Sequence, residues 1–363
     1  MKKRTVAIAA LMSAFMAGSA KAQSSVTLFG VTDAALTHAS GSLSNTTGLT
    51  GGGNADNRIG FKGTEDLGGG LKAGFWLESG FNIANGTGIA TNTNNQNSGI
   101  SSGGGLTFNR RSTVSIGGDW GEVRLGRDYT PQYWNIGMYD PFYQVGVGAS
   151  QILMSYLPAL QGGGSGPAVW ASNSVSYIYN MPFNGLTYGG GGFYGQAMYY
   201  RGNNPSNLPN SSDGNGYGIR VGFIGANLTV AIAHGQTSYE TGNTQQDNIG
   251  ASYNFGIIKL TSMFEHDRFS SITANGFLVG ATAPAGQGIA RIAYSRYQYD
   301  ISHDPSASKL AVGYVYPLSK RTQLYGTYAH VWNTGGNAAS IPGSTTGPNE
   351  PSNGFQLGMT HSF

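Results

Sequence analysis

Arg58 and Lys62 in "NRIGFKG", Lys72 and Glu78 in "LKAGFWLESG", Arg220, Lys259 and Glu265 are the groups through which this chain could act on another molecule. Each lies across from an aliphatic stripe rather than within it. Over residues 71–83, Leu71, Ala73, Phe75, Leu77, Phe81 and Ile83 share one set of alternate positions, and Lys72, Trp76 and Glu78 share the other. Isolated charges of this kind are not a catalytic grouping, which needs a nucleophile with a base in reach. The six histidines (38, 234, 266, 303, 330 and 361) are scattered, and cysteine is absent. No two histidines have the i, i+4 spacing that sets paired metal ligands on one helix face. The expectation is no enzyme, no metal and no cofactor. Fixed charges can still work electrostatically, attracting or repelling ions without a chemical step.

The elements that carry these charges read as strands. Successive side chains of a strand point to opposite faces. In "GFQLGMTHSF", Phe355, Leu357, Met359 and Phe363 alternate with Gly354, Gln356, Gly358 and Thr360. The same two-faced pattern runs through "VTLFGVTDAAL" and "KLAVGYVYPL". Charged residues make up only 10% of the chain, against roughly 25% in soluble domains. After residue 22 there is no apolar run near the roughly 20 residues of a spanning helix. Glycine (59 residues) and tyrosine (21) are abundant. Two classes remain, a soluble Gly-rich β protein and a β-barrel in lipid, whose signal is alternation rather than long apolar runs.

Residues 1–22 favour the second. Lys2, Lys3 and Arg4 precede an apolar stretch from Val6 to about Ala17, and the segment ends Ala20-Lys21-Ala22. That is the layout of a cleaved secretory signal, with the barrel then occupying 23–363. The signal holds four of the 20 Lys and Arg and none of the 17 acids, so sixteen bases face seventeen acids in the mature chain. The precursor's net charge of +3 therefore carries no argument for nucleic acid.

Connectors come in two sizes. Short ones at 63–70, 117–121, 180–185, 224–227, 254–256, 284–288 and 317–321 hold Gly, Pro, Asn and Asp, the residues of tight turns. Long ones at 38–57, 84–109, 201–216 and 333–353 are rich in Gly, Asn, Ser and Thr. Seven short turns imply about sixteen strands, with short turns on one rim and long loops on the other. A soluble sandwich would also alternate, but it would bury the charged face in a dry core, at several kcal/mol for each unpaired charge. Around a water-filled lumen the same charges cost little. In lipid a closed ring also leaves no free strand edge. The expected fold is all-β, a transmembrane antiparallel barrel.

Several stretches together resemble the general diffusion porins of Gram-negative bacteria, in the β-proteobacterial branch. They are "SSVTLFGVTDAAL", "RIGFKGTEDLGGGLKAGFWLESGF", "FNRRSTVSIGGDWGEVRLGRDYTPQYW", "ASYNFG", "YPLSKRTQLYGTYAHVWN" and the terminal Phe363. The likeness runs from about residue 24 to 363 and is weak in the long loops and between about 268 and 308. The resemblance implies a sixteen-stranded outer-membrane barrel, a homotrimer set in lipid and lipopolysaccharide, that passes ions and small hydrophilic solutes. It implies a long third outer loop, here about 128–169, folded into the lumen to form a constriction. It also implies that Phe363 is a signal to the outer-membrane assembly machinery.

Carried over residue by residue, Asp140 in "YDPFYQ" falls at the acid of the constriction loop, and Gln144 stands where a second acid is common. Arg58 and Arg111 match wall bases. Their parity points them into the lumen, across from Asp140. Arg127 matches another basic position, although its parity and that of Arg110 point outward. Trp170 replaces a wall arginine, and Val31 stands at a common basic position. Lys62, Trp76, Glu78 and Trp170 are further candidates for the lumen lining. Asp140 also precedes Pro141 and has a second reading as the start of a turn. Two rival functions remain at this stage, a substrate-specific channel and a barrel adhesin.

Overall fold

The computed structural model describes residues 25–101, 103–151, 169–181 and 191–363. The expected signal peptide lies outside them. The strands, in chain order, are β1 (Ser25–Gly41), β2 (Asn45–Gly51), β3 (Arg58–Gly68), β4 (Leu71–Gly80), β5 (Ser112–Gly118) and β6 (Gly121–Tyr129), then helix α1 (Pro131–Tyr139). The ring continues with β7 (Trp170–Tyr179), β8 (Gly192–Tyr200), β9 (Gly216–Ile224), β10 (Leu228–Thr237), β11 (Thr244–Asn254) and β12 (Lys259–Phe269). It ends with β13 (Ile272–Ala285), β14 (Gly288–Asp300), β15 (Ser306–Pro317), β16 (Thr322–Thr334) and β17 (Ser352–Ser362).

Every strand pairs antiparallel with its neighbours, and the sheet closes where β1 meets β17, Val31 opposite Ser362 and Gly41 opposite Ser352. On its other edge β1 pairs first with β3 (Ser25 opposite Thr64) and farther along with β2 (Ser40 opposite Asn45). β2 and β3 thus share one place in the ring, and the seventeen strands fill sixteen positions. Six of the seven short turns fall between β3–β4, β5–β6, β9–β10, β11–β12, β13–β14 and β15–β16, all on one rim, and most of the expected turn 180–185, between β7 and β8, lies outside the described residues. Most of the expected loop 38–57 is instead strand. Its polar residues pair as the end of β1, against β17, and as β2, against β1, and these ladder partners outweigh their loop-like composition.

One parity of each strand carries the apolar belt. Leu357 is 54% exposed, Ile232 56% and Val279 55%. A continuous exposed apolar surface of this extent is not tolerated in water and matches the lipid-facing band of an outer-membrane barrel. The opposite parity points inward and holds Asp33, Gln196, Arg220, Asn248, Gln356 and Thr360, all buried.

The apolar core lies inside the barrel, between the infolded loop and the wall. Ile136 and Tyr139 of α1 pack with Ile178, Met263 and Leu278, and Phe142 and Val147 pack with Ala293, Ala311 and Val331. The inner face is therefore not wetted throughout, contrary to the expectation from its charges. Arg220 and Glu265 point inward but are buried beneath α1.

Candidate pore constriction

Between β2 and β3, residues 52–57 leave the wall and turn into the barrel. The buried Asp33 carboxylate holds them there. It accepts hydrogen bonds from the amides of Gly53 (2.9 Å), Asn54 (3.1 Å) and Ala55 (3.2 Å). The hydroxyls of Tyr325 and Thr360 donate to it as well, each at 2.6 Å. Five donors on one carboxylate make this infold a fixed part of the wall, and it delivers Asp56 and Arg58 to the lumen.

Arg58 lies 3.7 Å from the Glu78 carboxylate, and its side chain keeps 29% of its exposure. Arg110 ion-pairs with Glu78, with Asp56 at 3.0 Å, and donates to the Tyr129 hydroxyl at 2.8 Å. Arg111 is buried, bonds the Thr113 hydroxyl at 2.9 Å, approaches Glu122 to 3.9 Å, and lies 4.6 Å from the centre of the Trp76 ring. Arg124 bridges Glu122 (2.9 Å) and Asp128 (2.5 Å). The β3–β6 wall thus carries alternating bases and acids in which most acids are neutralised by a neighbour.

Arg110 corrects the expectation that it points outward. β5 begins at Ser112, so strand parity does not govern Arg110. Arg127 also departs from parity, because the ladder shifts by a residue between Gly126 and Asp128. It donates to the backbone carbonyls of Asn109 (2.6 Å) and Asn92 (2.8 Å) and to the Ser172 hydroxyl (2.7 Å). This ties the 81–111 connector to β7 rather than presenting a free base to the opening. Trp170 joins an aromatic group where β6 leads into the loop. Its ring stacks on Tyr129 at 3.6 Å, and Tyr129 also contacts Tyr133 (5.4 Å) and Trp134 (4.9 Å). The Arg110 guanidinium lies 5.1 Å from the Trp170 ring.

The third loop enters through α1, whose first turn is capped by Thr130 with Pro131 following. A track of inward-facing glycines seats it. A Cβ at Gly235 would fall 2.5 Å from Gln132, one at Gly250 2.0 Å from Tyr139, and one at Gly280 2.4 Å from Pro141. Beyond α1, Val147 lies against Gly354, and its amide donates to Gln356 at 2.9 Å. Only residues without a side chain allow the loop this close to the sheet. The track was missed in the sequence, where glycine at alternate positions looks the same whether it faces lipid, water or a loop.

Asp140 requires a correction. It does not face Arg58 and Arg111 across the opening. It is 2% exposed and spends its carboxylate inside the loop, accepting from the Phe142 amide (2.8 Å), the Ser150 amide (3.0 Å) and the Gln144 side chain (2.8 Å). Burial pushes its carboxyl above the ordinary carboxylate range, while the amides of Phe142, Ser150 and Gln144 and the charge of Lys309 pull it back. The turn reading of Asp140 describes this geometry. Lys309, the wall base near it, donates to the Ala149 carbonyl at 2.7 Å. Among the described residues that follow α1 in the loop, Tyr143 is exposed, at 62%.

Arg58, Arg111, Trp76, Glu78 and Trp170 are thus brought together on one wall, with Lys62 beside them on β3. Asp140 sits apart. Phe363 ends the closing strand, exchanging backbone hydrogen bonds with Gly30 at 3.0 and 3.1 Å. The stretch "GISSG" (99–103) has the spacing of a serine-nucleophile motif, but the Ser101 hydroxyl is taken up by the Thr91 carbonyl at 3.3 Å.

A closed antiparallel barrel with an apolar outside, a charged inner wall and a loop folded into its lumen defines a diffusion channel of the outer membrane. The chain belongs to the Gram-negative porin family, which its sequence matches over residues 7–336. It is 34% identical to outer membrane porin protein 32 of Delftia acidovorans across the full length of both chains. To an outer membrane porin protein of Bordetella pertussis it is 27% identical, over 90% of this chain and 94% of that one. Among solved structures it resembles the anion-selective porin from Comamonas acidovorans, with a TM-score of 0.79 and 32% identity over 94% of this chain and 100% of that one. The fold is shared with the trimer form of OmpT from Vibrio cholerae, with a TM-score of 0.62 at 13% identity, over 94% of this chain and 99% of that one. The protein is an outer-membrane porin, a water-filled channel for passive diffusion.

Proposed function

We propose that this porin passes small hydrophilic anions in preference to cations. The observation that carries the proposal is the lack of a lumen-facing acid on the constriction loop. The sequence from 130 to 169 holds a single charged residue, Asp140, and that carboxylate is buried in its own turn. On the facing wall Arg58 and Lys62 reach water, and the partly exposed Asp56 is paired with Arg110. An ion crossing the narrow region therefore meets positive charge from one side with no opposing negative field, which stabilises anions there. The name of the relative from Comamonas acidovorans points the same way.

The reading extends to a homotrimer, the form named for one solved relative, with its outer face in lipid and lipopolysaccharide. Phe363 is proposed as the signal read by the assembly machinery. Diffusion through the channel requires no chemical step. The test is the zero-current potential of the reconstituted channel across a KCl gradient. The parent should show chloride preference, and replacing both Arg58 and Arg111 by Ala should move the potential toward cations. Cation preference in the parent would refute the proposal.

A further inference from the structure

Below the arginine cluster the inner wall carries a second arrangement of a different kind. Lys62 is cross-strand from Thr27 on β1 and from Trp76 on β4. Its side chain is exposed, and among the described residues no carboxylate lies within ion-pair distance of its ammonium. Two rings hold it instead. The ammonium is 4.8 Å from the centre of the Trp76 ring and 5.4 Å from that of Phe29. The rings meet edge to face at 4.9 Å, and Phe29 lies over Gly60, where a Cβ would come within 2.4 Å of it. The Trp76 indole is fixed by its bond to Glu78 at 3.1 Å. The arginines of this wall (Arg58, Arg110, Arg111, Arg124 and Arg127) are instead tied to acids, hydroxyls or carbonyls.

From these facts we infer that Phe29, Lys62 and Trp76 form a docking step for anions that carry a flat apolar ring, with aromatic carboxylates as the ligand class. The ammonium supplies a charge-assisted bond to the carboxylate. The two rings supply apolar and edge-to-face contact to the body of the ligand. Lys62 has a four-carbon stem, so it can leave the ring faces to meet the carboxylate while the ligand ring takes its place. The step lies on the short-turn side of the constriction. Four residues separate Lys62 from Arg58 along β3, about 13 Å at the rise of an antiparallel strand. An anion released by the arginine cluster thus meets the next free cation about one small-molecule length farther on. This deepens the proposed anion preference, on which it rests for the supply of anions, by naming a chemical class and a place.

The experiment is single-channel recording of the purified full-length protein in KCl, with potassium benzoate or potassium acetate added as the probe. Benzoate should interrupt the parent current at concentrations where acetate does not. Lys62→Gln should weaken that block about tenfold, the loss expected for one hydrogen bond to a charged group. Lys62→Arg should keep it, and Phe29→Leu should weaken benzoate block about threefold through the lost ring contact. Equal effects of benzoate and acetate would overturn the inference, as would benzoate block that survives Lys62→Gln, or no block at all. The chloride zero-current potential, read on the same channels, separates the two readings. Benzoate block in a cation-preferring parent would sink the proposed selectivity and leave the docking step standing. Chloride preference without benzoate block would do the reverse.

Discussion

Gly250→Ala should narrow the channel without opening the barrel. The added Cβ would lie 2.0 Å from Cδ2 and 2.4 Å from Cε2 of Tyr139, where ordinary contact begins at 3.4 Å. One partner must therefore give by about 1.4 Å in a region packed at crystal-like density. β11 cannot, because it is held in register on both sides, with Ile249 opposite Ile232 and Phe264. The Tyr139 ring cannot rotate away freely, because it is fully buried among Ile136, Met263 and Leu278. The movable partner is α1, and the only open direction is into the lumen. Overpacking of this size costs about 1–3 kcal/mol, which a ring of paired strands absorbs. The assay is single-channel conductance beside thermal unfolding in detergent. The expected result is a folded protein with reduced conductance, and a larger reduction for Gly250→Val. Gly48→Ala, where an added Cβ meets nothing within 4 Å, should change neither quantity. Parental conductance in a folded Gly250→Ala protein would show that the glycine track does not set the loop's position.

Two further outcomes follow from the same structure. Ile232→Arg, in the middle of β10 on the apolar face, should destabilise the protein in lipid vesicles by about 2–4 kcal/mol in urea unfolding, and no loss would contradict the orientation of the strands. Deleting Phe363 removes both backbone bonds to Gly30 but leaves the inward Gln356 and Thr360 in place. Assembled protein should fall sharply in cells while the channels that form keep parental conductance, and normal assembly levels would remove the terminal residue from that role.

The barrel was legible because its two signals are local. Period-two alternation needs only a few consecutive residues, and the seven tight turns each carry their own Gly, Pro, Asn or Asp. What failed depended on distant partners. Residues 38–51 looked like a loop until β17 supplied hydrogen bonds to the end of β1, and β1 in turn to β2. Parity misplaced Arg110 because it assumed a strand that starts two residues later. Arg127 escaped it through a bulge that the sequence signals only weakly, by Gly126. For Asp140 two local readings competed. The residues themselves favoured a turn before Pro141, the family likeness favoured a lumen acid, and the hydrogen bonds to Phe142 and Ser150 follow the turn. Asp56 and Tyr129, which complete the Arg110 network, carried no signal of their own.

The seam between β1 and β17 also imposes an order in time. Val31 and Ser362 face each other across it, 331 residues apart in the chain. Apart from β1 with β3, which flank the short β2, every other neighbour in the ring is a pair of consecutive strands and can form as soon as the second has emerged. This one cannot form until the last strand exists. Contacts so distant are slow to form, and until they do, both edges of the sheet stay open to pairing with other chains. A chain broken off in its last dozen residues would have nearly the whole wall and no way to shut it. For this protein, completeness of synthesis is checked by geometry at the final step, and the interval before closure is when its open edges are most exposed to pairing with other chains.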